Sequence, residues 1–219
     1  MQGIKAVIFD MDGVILDTEK LFFKYWRLAA KLHGYEMSEQ VALHIRSFSA
    51  HFAVPYFKEQ FGEDFDYAAV RATRKELMER DLAENGIPLK AGIRELMETL
   101  KQKGILTAIA TSTDYERTER YLKCLGLFDL FDRIICAPMV KVGKPAPDIY
   151  LYACEQLGLA PKDCLAVEDS PNGVTSGYSA GCKVCMIPDL TRPDEELLPM
   201  IDLVAESLTD LRERIHSAE

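Results

Sequence analysis

The stretch Ala6-Val7-Ile8-Phe9-Asp10-Met11-Asp12-Gly13-Val14 (residues 6–14) sets an unbroken apolar run against two carboxylates spaced i, i+2. Taken from Ile4 to Phe9, the run lacks polar alternation, as expected of a central strand covered on both faces. The carboxyl end of such a strand is where open α/β sheets place their ligands. Two like charges this close and this poorly hydrated repel, and a divalent cation with oxygen ligands offsets that repulsion. Mg²⁺ suits a few carboxylates plus phosphate and water. Alone, the same residues also read as an N-cap or turn aspartate.

Working outward, five more β-type runs follow: Leu106 to Thr111, Arg133 to Cys136, Leu165 to Glu168, Val184 to Ile187 and Leu203 to Ala205. Helical patterns lie between them. Ile93, Leu96, Met97 and Leu100 fall at i, i+3, i+4 and i+7, with Gly104 as a stop. Pro147 opens a helix with Ile149, Ala153 and Leu157 inward and Gly158 past its end. Ser170 reads as an N-cap, Pro171 as the first helical residue and Gly181 as the stop. This alternation predicts βαβ units: a Rossmann-like α/β core with a parallel sheet of about six strands and helices on both faces.

From Thr18 to Glu84 the alternation breaks, and no strand is expected. Leu21, Phe22, Tyr25, Leu28, Ala29 and Leu32 make a helical stripe ending at Gly34, and Asp66 caps a helix through Leu77 and Met78 toward Gly86. An all-helical insert needs a core of its own, so a small cap domain is expected over residues 17–86. The α/β core then takes residues 1–16 and 87–219. Trp26, Phe22 and Tyr25 are expected in the cap core, His33 at a helix C-terminus, and His44 as a packing or surface residue.

With 219 residues, 48% apolar and 28% charged, the chain is long enough to bury a core without a staple, and long disorder is excluded. The 35 acidic against 26 basic side chains give a net charge of −9, which argues against a nucleic-acid-binding surface. A small anion remains compatible, because local cations and helix ends suffice for it. No apolar run is long enough for a membrane span, and Met1 to Lys5 lead straight into a strand with no signal-peptide pattern. The six cysteines (124, 136, 154, 164, 182 and 185) are expected as reduced thiols in a cytoplasmic protein, a monomer or weak dimer. Cys182 and Cys185 match C-x-x-C. A separation of three places them on opposite faces of a strand, and no second pair follows to make a zinc or redox site.

Three further polar sets fall at the carboxyl ends of expected strands. In Ala110-Thr111-Ser112-Thr113-Asp114 a hydroxyl can meet a phosphoryl oxygen, and Thr113 with Glu116 forms a capping-box pattern. In Gly143-Lys144-Pro145-Ala146-Pro147 two prolines fix where the lysine points. In Val167-Glu168-Asp169-Ser170 a second acidic pair would complete a metal site with Asp10 and Asp12.

The four sets, in this order, resemble the signature motifs of the haloacid dehalogenase superfamily. Asp10, Asp12, Gly13 and Val14 match D-x-D-G-V, Thr111 the second motif, Lys144 in G-K-P-x-P the third, and Glu168 and Asp169 in V-E-D-S the fourth. The insert is similar to the type 1 cap, and Leu16-Asp17-Thr18-Glu19 is typical of the capped phosphatase and β-phosphoglucomutase-like branch. The resemblance implies Asp10 as nucleophile forming an aspartyl-phosphate, and Asp12 as general acid and then base. It implies Mg²⁺ held by Asp10, the Asp12 carbonyl, Asp169 and Glu168, with Thr111 and Lys144 on the phosphoryl oxygens. The superfamily's hydrolytic dehalogenases lack the second aspartate, so Asp12 points to phosphoryl transfer.

Thr18, Arg46, Ser49, His51, Ser112 and Thr113 are the residues expected to face the substrate. The β-phosphoglucomutases carry a cap loop resembling K-G-x-S-R and an early cap histidine. Here the loop is Arg46-Ser47-Phe48-Ser49-Ala50 and the histidine position holds Phe22. After the second motif the mutases have a lysine-containing stretch, where this chain has Thr113-Asp114-Tyr115. These departures favour hydrolysis of a small phosphate monoester, a sugar phosphate or similar metabolite, over hexose-phosphate isomerisation. A phospho-receiver domain lacks the cap and the second aspartate. A non-catalytic binding module does not need the competent side chains present at every catalytic position.

Overall fold

The computed structural model describes residues 3–217. In chain order its regular elements are β1 (Ala6–Phe9), α1 (Glu19–Leu32), α2 (Glu39–His44), α3 (Ala50–Phe61), α4 (Tyr67–Asn85), α5 (Ile93–Gln102), β2 (Leu106–Thr111), α6 (Tyr115–Cys124), β3 (Arg133–Cys136), α7 (Asp148–Leu157), β4 (Cys164–Glu168), α8 (Pro171–Ser179), β5 (Lys183–Met186), β6 (Leu203–Val204) and α9 (Leu208–Ser217). The six strands form one parallel sheet ordered β3-β2-β1-β4-β5-β6. The strand order reverses at β1, between β2 and β4, which makes the carboxyl end of β1 the switch-point crevice.

β1 is buried along its whole length because both of its faces are covered. Val7 and Phe9 pack toward Ile93, Leu96 and Leu100 of α5 and Leu208 and Leu211 of α9. Ala6 and Ile8 point the other way, toward Ile149, Tyr150 and Ala153 of α7. That second face is rich in small residues, which lets helices close in: a Cβ on Gly177 of α8 would sit 2.8 Å from Ala166 Cβ. The two C-x-x-C thiols sit on opposite faces as expected. Cys185 packs in the α5/α9 layer, while Cys182 lies in the α7 layer with its sulfur 3.8 Å from that of Cys154.

α1 to α4 gather around Phe57, which is fully buried. Its ring lies 5.3 Å from that of Trp26, 5.0 Å from Phe65 and 5.8 Å from Tyr67. The two crossings between this helical unit and the sheet run side by side. Asp17 N donates to Pro88 O, and Lys90 N donates to Ile15 O, both at 2.9 Å. Among the described residues no helix is long and apolar enough to cross a membrane.

The expected apolar stripe of α1 is rotated in the structure. Leu28 and Leu32 are 38% and 63% exposed, and the buried face is Tyr25, Trp26, Ala29 and Ala30. The α1–α4 contact favours a large aromatic beside two alanines, which lets the helix backbones approach, over a row of leucines.

Candidate active site

β1 delivers Asp10 and Asp12 into the crevice. Asp10 N continues the ladder by donating to Val167 O at 2.9 Å, after which the chain turns at Gly13, whose φ is +95°. Only glycine fits there, because a Cβ would overlap the Asp169 carboxylate and the Glu19 side chain. Gly173 allows a second close approach, since a Cβ at that position would overlap the Glu168 carboxylate.

Lys144 is fully buried. Its ammonium donates to Asp10 Oδ1 at 2.6 Å and stands 2.5 Å from Glu168 Oε1, which also accepts from the Tyr150 hydroxyl at 2.5 Å. Burial opposes the Lys144 charge, but Asp10 and Glu168 outweigh it and hold the pKa above the usual value. Burial pushes Asp10 up to about 7 against the pull of Lys144, and Glu168 is raised in the same way. Asp12 is held differently. Its Oδ1 accepts from the Thr18 hydroxyl at 2.7 Å and its Oδ2 from the Thr113 hydroxyl at 2.9 Å. Thr113 N in turn donates to Thr111 Oγ1 at 3.1 Å, so the β2 end and the β1 end are tied together.

Asp10, Glu168 and Asp169 each offer a carboxylate oxygen, and these three atoms lie within 4.8 Å of one another. Burial raises Asp169 to about 7 against the pull of Arg46. Glu168 Oε2 and Asp169 Oδ1 are buried without a hydrogen-bond partner, which is costly unless something else satisfies them. Three crowded, hard oxygen donors with unsatisfied atoms fit a divalent cation such as Mg²⁺. The Asp12 carboxylate does not join this cluster, because both of its oxygens are engaged by hydroxyls. Its expected share in metal binding rests on the backbone carbonyl.

A cavity opens above these groups, enclosing about 890 Å³ with its mouth included. Asp10, Asp12, Thr111 and Thr113 form its core-side wall, and Phe22 and Trp26 belong to its cap-side wall.

The haloacid dehalogenase-like hydrolase family model matches residues 4–181. This chain belongs to the haloacid dehalogenase-like hydrolases.

Relatives sharpen the placement. The chain is 36% identical over 183 residues to a phosphorylated carbohydrates phosphatase of Thermotoga maritima, covering 81% of this chain and 82% of that one. It is 34% identical over 207 residues to hexitol phosphatase A of Escherichia coli K12, covering 94% and 93%. The solved β-phosphoglucomutase of Clostridium difficile superposes with a TM-score of 0.81 at 25% identity, covering 97% of this chain and 96% of that one. The hydrolase is thus a member of the β-phosphoglucomutase-like branch, with a Rossmann-like core and a helical cap, and it is a phosphoric monoester hydrolase.

Several expected substrate-facing residues of this hydrolase lie elsewhere. Thr18 is fully buried and holds Asp12. His51 is exposed outside the cavity wall, edge-on to Phe52, because it sits on the outer side of the first turn of α3. Ser49 is not in the wall either. Its N donates to Lys144 O at 3.0 Å, and it packs where a Cβ on Gly143 would collide with it. Ser112 does line the cavity, donating to Ser47 O at 2.9 Å. Arg46 lines it too, but both ends of its guanidinium are engaged. It donates to Glu19 Oε2 and Thr191 Oγ1 at 2.8 and 2.9 Å, to Asp169 O at 3.1 Å, and to the Asp169 carboxylate.

The Thr113–Glu116 capping box does not form. Asp114 caps α6, accepting from Arg117 N at 3.0 Å, which frees Thr113 for Asp12. Phe22 and Trp26, expected only as cap core, also face the cavity.

Sequence reading missed Glu19, Tyr150, Arg74 and Arg117 as site residues. Glu19 stood in the Leu16-Asp17-Thr18-Glu19 run, while the others carry no local signal. Ser47 occupies the mutase glycine position and keeps a left-handed φ of 60°. The Ser112 bond to its carbonyl and the Ser170 bond to its hydroxyl, at 3.0 Å, help to hold that strained backbone.

Proposed function

We propose that this hydrolase releases inorganic phosphate from small phosphate monoesters, sugar phosphates foremost, with Asp10 as nucleophile and Mg²⁺ as cofactor. The observation that carries this is the pairing of two unlike carboxylates: Asp10 in an ion pair with a buried lysine, and Asp12 two residues on, held by two hydroxyls.

The Asp10 carboxylate attacks phosphorus while the bond from phosphorus to the leaving oxygen breaks. Protonated Asp12 gives its proton to that oxygen. Asp12, now a base, takes a proton from a water that attacks the phosphoryl group. Inorganic phosphate leaves and the Asp10 carboxylate returns. Thr18 and Thr113 orient Asp12 for both transfers, and Thr111 and Lys144 offer donors to the phosphoryl oxygens, where charge develops. Asp10, Glu168, Asp169 and the Asp12 carbonyl would hold Mg²⁺, which supplies neutralisation of phosphate charge when bound. Residues 17–86 act as the cap, hinging where residues 14–18 run beside 85–88 and excluding bulk water.

Hydrolysis is favoured over isomerisation by the cap loop. Arg46 is already engaged by Glu19 and Asp169, and Ala50 in the cavity wall offers no charge. The named activities of the two phosphatase relatives support a carbohydrate phosphate.

The test is phosphate release across sugar phosphates with Mg²⁺, with β-glucose 1-phosphate followed separately by sugar analysis. Free glucose plus phosphate is expected. Accumulation of glucose 6-phosphate without phosphate release would overturn the hydrolytic reading.

A further inference from the structure

We propose that the cavity between cap and core holds a second anion subsite, built from Arg71, Arg74 and Lys75 of α4 and Arg117 of α6, for a carboxylate or second phosphate at the substrate's non-reacting end. This deepens the phosphatase reading and rests on it for the reacting end.

The starting observation is a buried cation without a counter-charge. Arg74 is 4% exposed, and no carboxylate among the described residues forms an ion pair with it. Its guanidinium stands over Phe22 and Trp26 at 4.8 and 5.1 Å, and its only hydrogen bond among the described residues goes to the Met78 sulfur at 3.8 Å. Its Nε is buried with no partner.

Arg117 arrives from the core side, 6% exposed, stacked over Phe22 and Tyr121 and donating to the same Met78 sulfur at 3.8 Å. It forms long ion pairs with Glu79, 3.7 Å from Nε, and with Asp12 at 3.8 Å, and its Nε makes no hydrogen bond among the described residues. Two buried guanidinium groups therefore share one weak thioether acceptor, and only Arg117 has carboxylates beside it. Burial, together with Arg117 and Arg71, pushes the Arg74 pKa down to about 9 against the weaker pull of Tyr67 and Asp12, the direction expected of crowded cations.

Positions 71, 74, 75 and 78 fall on one face of α4, and Arg71, Arg74, Lys75 and Arg117 all line the cavity that Asp10 and Asp12 also line. Lys75 is tied to Asp114 at 3.0 Å, whereas Arg71 has no such tie among the described residues. Buried unpaired charge is costly, and planar guanidinium forks match the oxygens of carboxylate and phosphate. Stacking on aromatic faces leaves the N–H edges available to such a group. An anion between Arg74 of the cap and Arg117 of the core would also favour the closed state, so binding energy from the remote end would serve the reacting end.

Two minimal pairs test this by calorimetry on the non-hydrolysing Asp10→Asn protein: 3-phosphoglycerate against glycerol 3-phosphate, and fructose 1,6-bisphosphate against fructose 6-phosphate. The member with the second anionic group is expected to bind about tenfold tighter or more in at least one pair. The first pair reports a carboxylate and the second a phosphate. Adding Arg74→Met should erase that preference while leaving unchanged the affinity of the member without the second anionic group. Should Arg74→Met not fold, the half-buried Arg71→Gln takes its place and should shrink the preference. Equal binding within both pairs, or an equal loss for both members, overturns the subsite. Phosphate release from the singly phosphorylated esters by the unmodified enzyme would still stand in that case. A retained anion preference with no phosphate release from any ester would instead sink the phosphatase reading alone.

Discussion

The Lys144 ammonium stands 2.6 Å from Asp10 Oδ1 with no access to solvent. The same ammonium reaches Glu168, so one cation holds the ends of the neighbouring strands β1 and β4 together. Lys144→Met leaves two buried carboxylates without their counter-charge, a change expected to cost about 3–5 kcal/mol. Turnover should fall by about 10²-fold or more, as for loss of a transition-state donor. Thermal melting and phosphate release check the two effects separately. Parent-like values in both would show that the pair is idle.

Asp10 and Asp169 give the metal-free protein a defined pH response. Unfolded, these carboxyls lose their protons near 3.8, and folded, burial holds them protonated to about 7. The folded state therefore binds protons more tightly across that window, and stability falls as pH rises from about 4 to 7. Mg²⁺ competes with those protons, so it should raise the melting temperature more at pH 8 than at pH 5. Melting curves with EDTA and with Mg²⁺ at both values test this. An equal Mg²⁺ increment at the two values would contradict it.

Two hydroxyls aim Asp12. Thr113→Val removes the donor to Oδ2 and Thr18→Val the donor to Oδ1. Each should lower kcat by about tenfold with little change in KM, because orientation of the acid matters in the transition state. A raised KM with unchanged kcat would instead make these residues substrate contacts.

Gly13→Ala meets two obstacles: a left-handed φ, and overlap with Asp169. The backbone alone costs on the order of 1–3 kcal/mol. The displaced carboxylate should also abolish the melting-temperature gain from Mg²⁺. A variant that keeps that gain would show the Gly13 turn to be independent of the acidic cluster.

The sheet was legible because its strands are short apolar runs ended by polar clusters, and the structure moves their boundaries by no more than two residues. The convergence of Asp10, Thr111 and Asp169 followed from their shared place at strand ends, whereas Lys144 reaches them from the connection between β3 and α7. The cap was far less legible. α2 is only 6 residues long, and α3 carries Pro55 inside it, so neither has a clear helical signature. Leu28 and Leu32 misled because no local pattern announces that Trp26 and two alanines win the contact with α4. Thr113 reads as a cap in the sequence, and only its meeting with Asp12 in the fold leaves that role to Asp114. Arg74 and Arg117 look like ordinary solvated helix residues until α1, α4 and α6 are packed together.

Asp10→Asn changes one oxygen for an amide nitrogen at the reacting carboxylate and nearly keeps its shape. Phosphate release from a sugar phosphate by this variant, alongside its melting temperature, tests the nucleophile assignment most directly. A folded protein with no detectable release is the result expected. Release at the parent rate would contradict it.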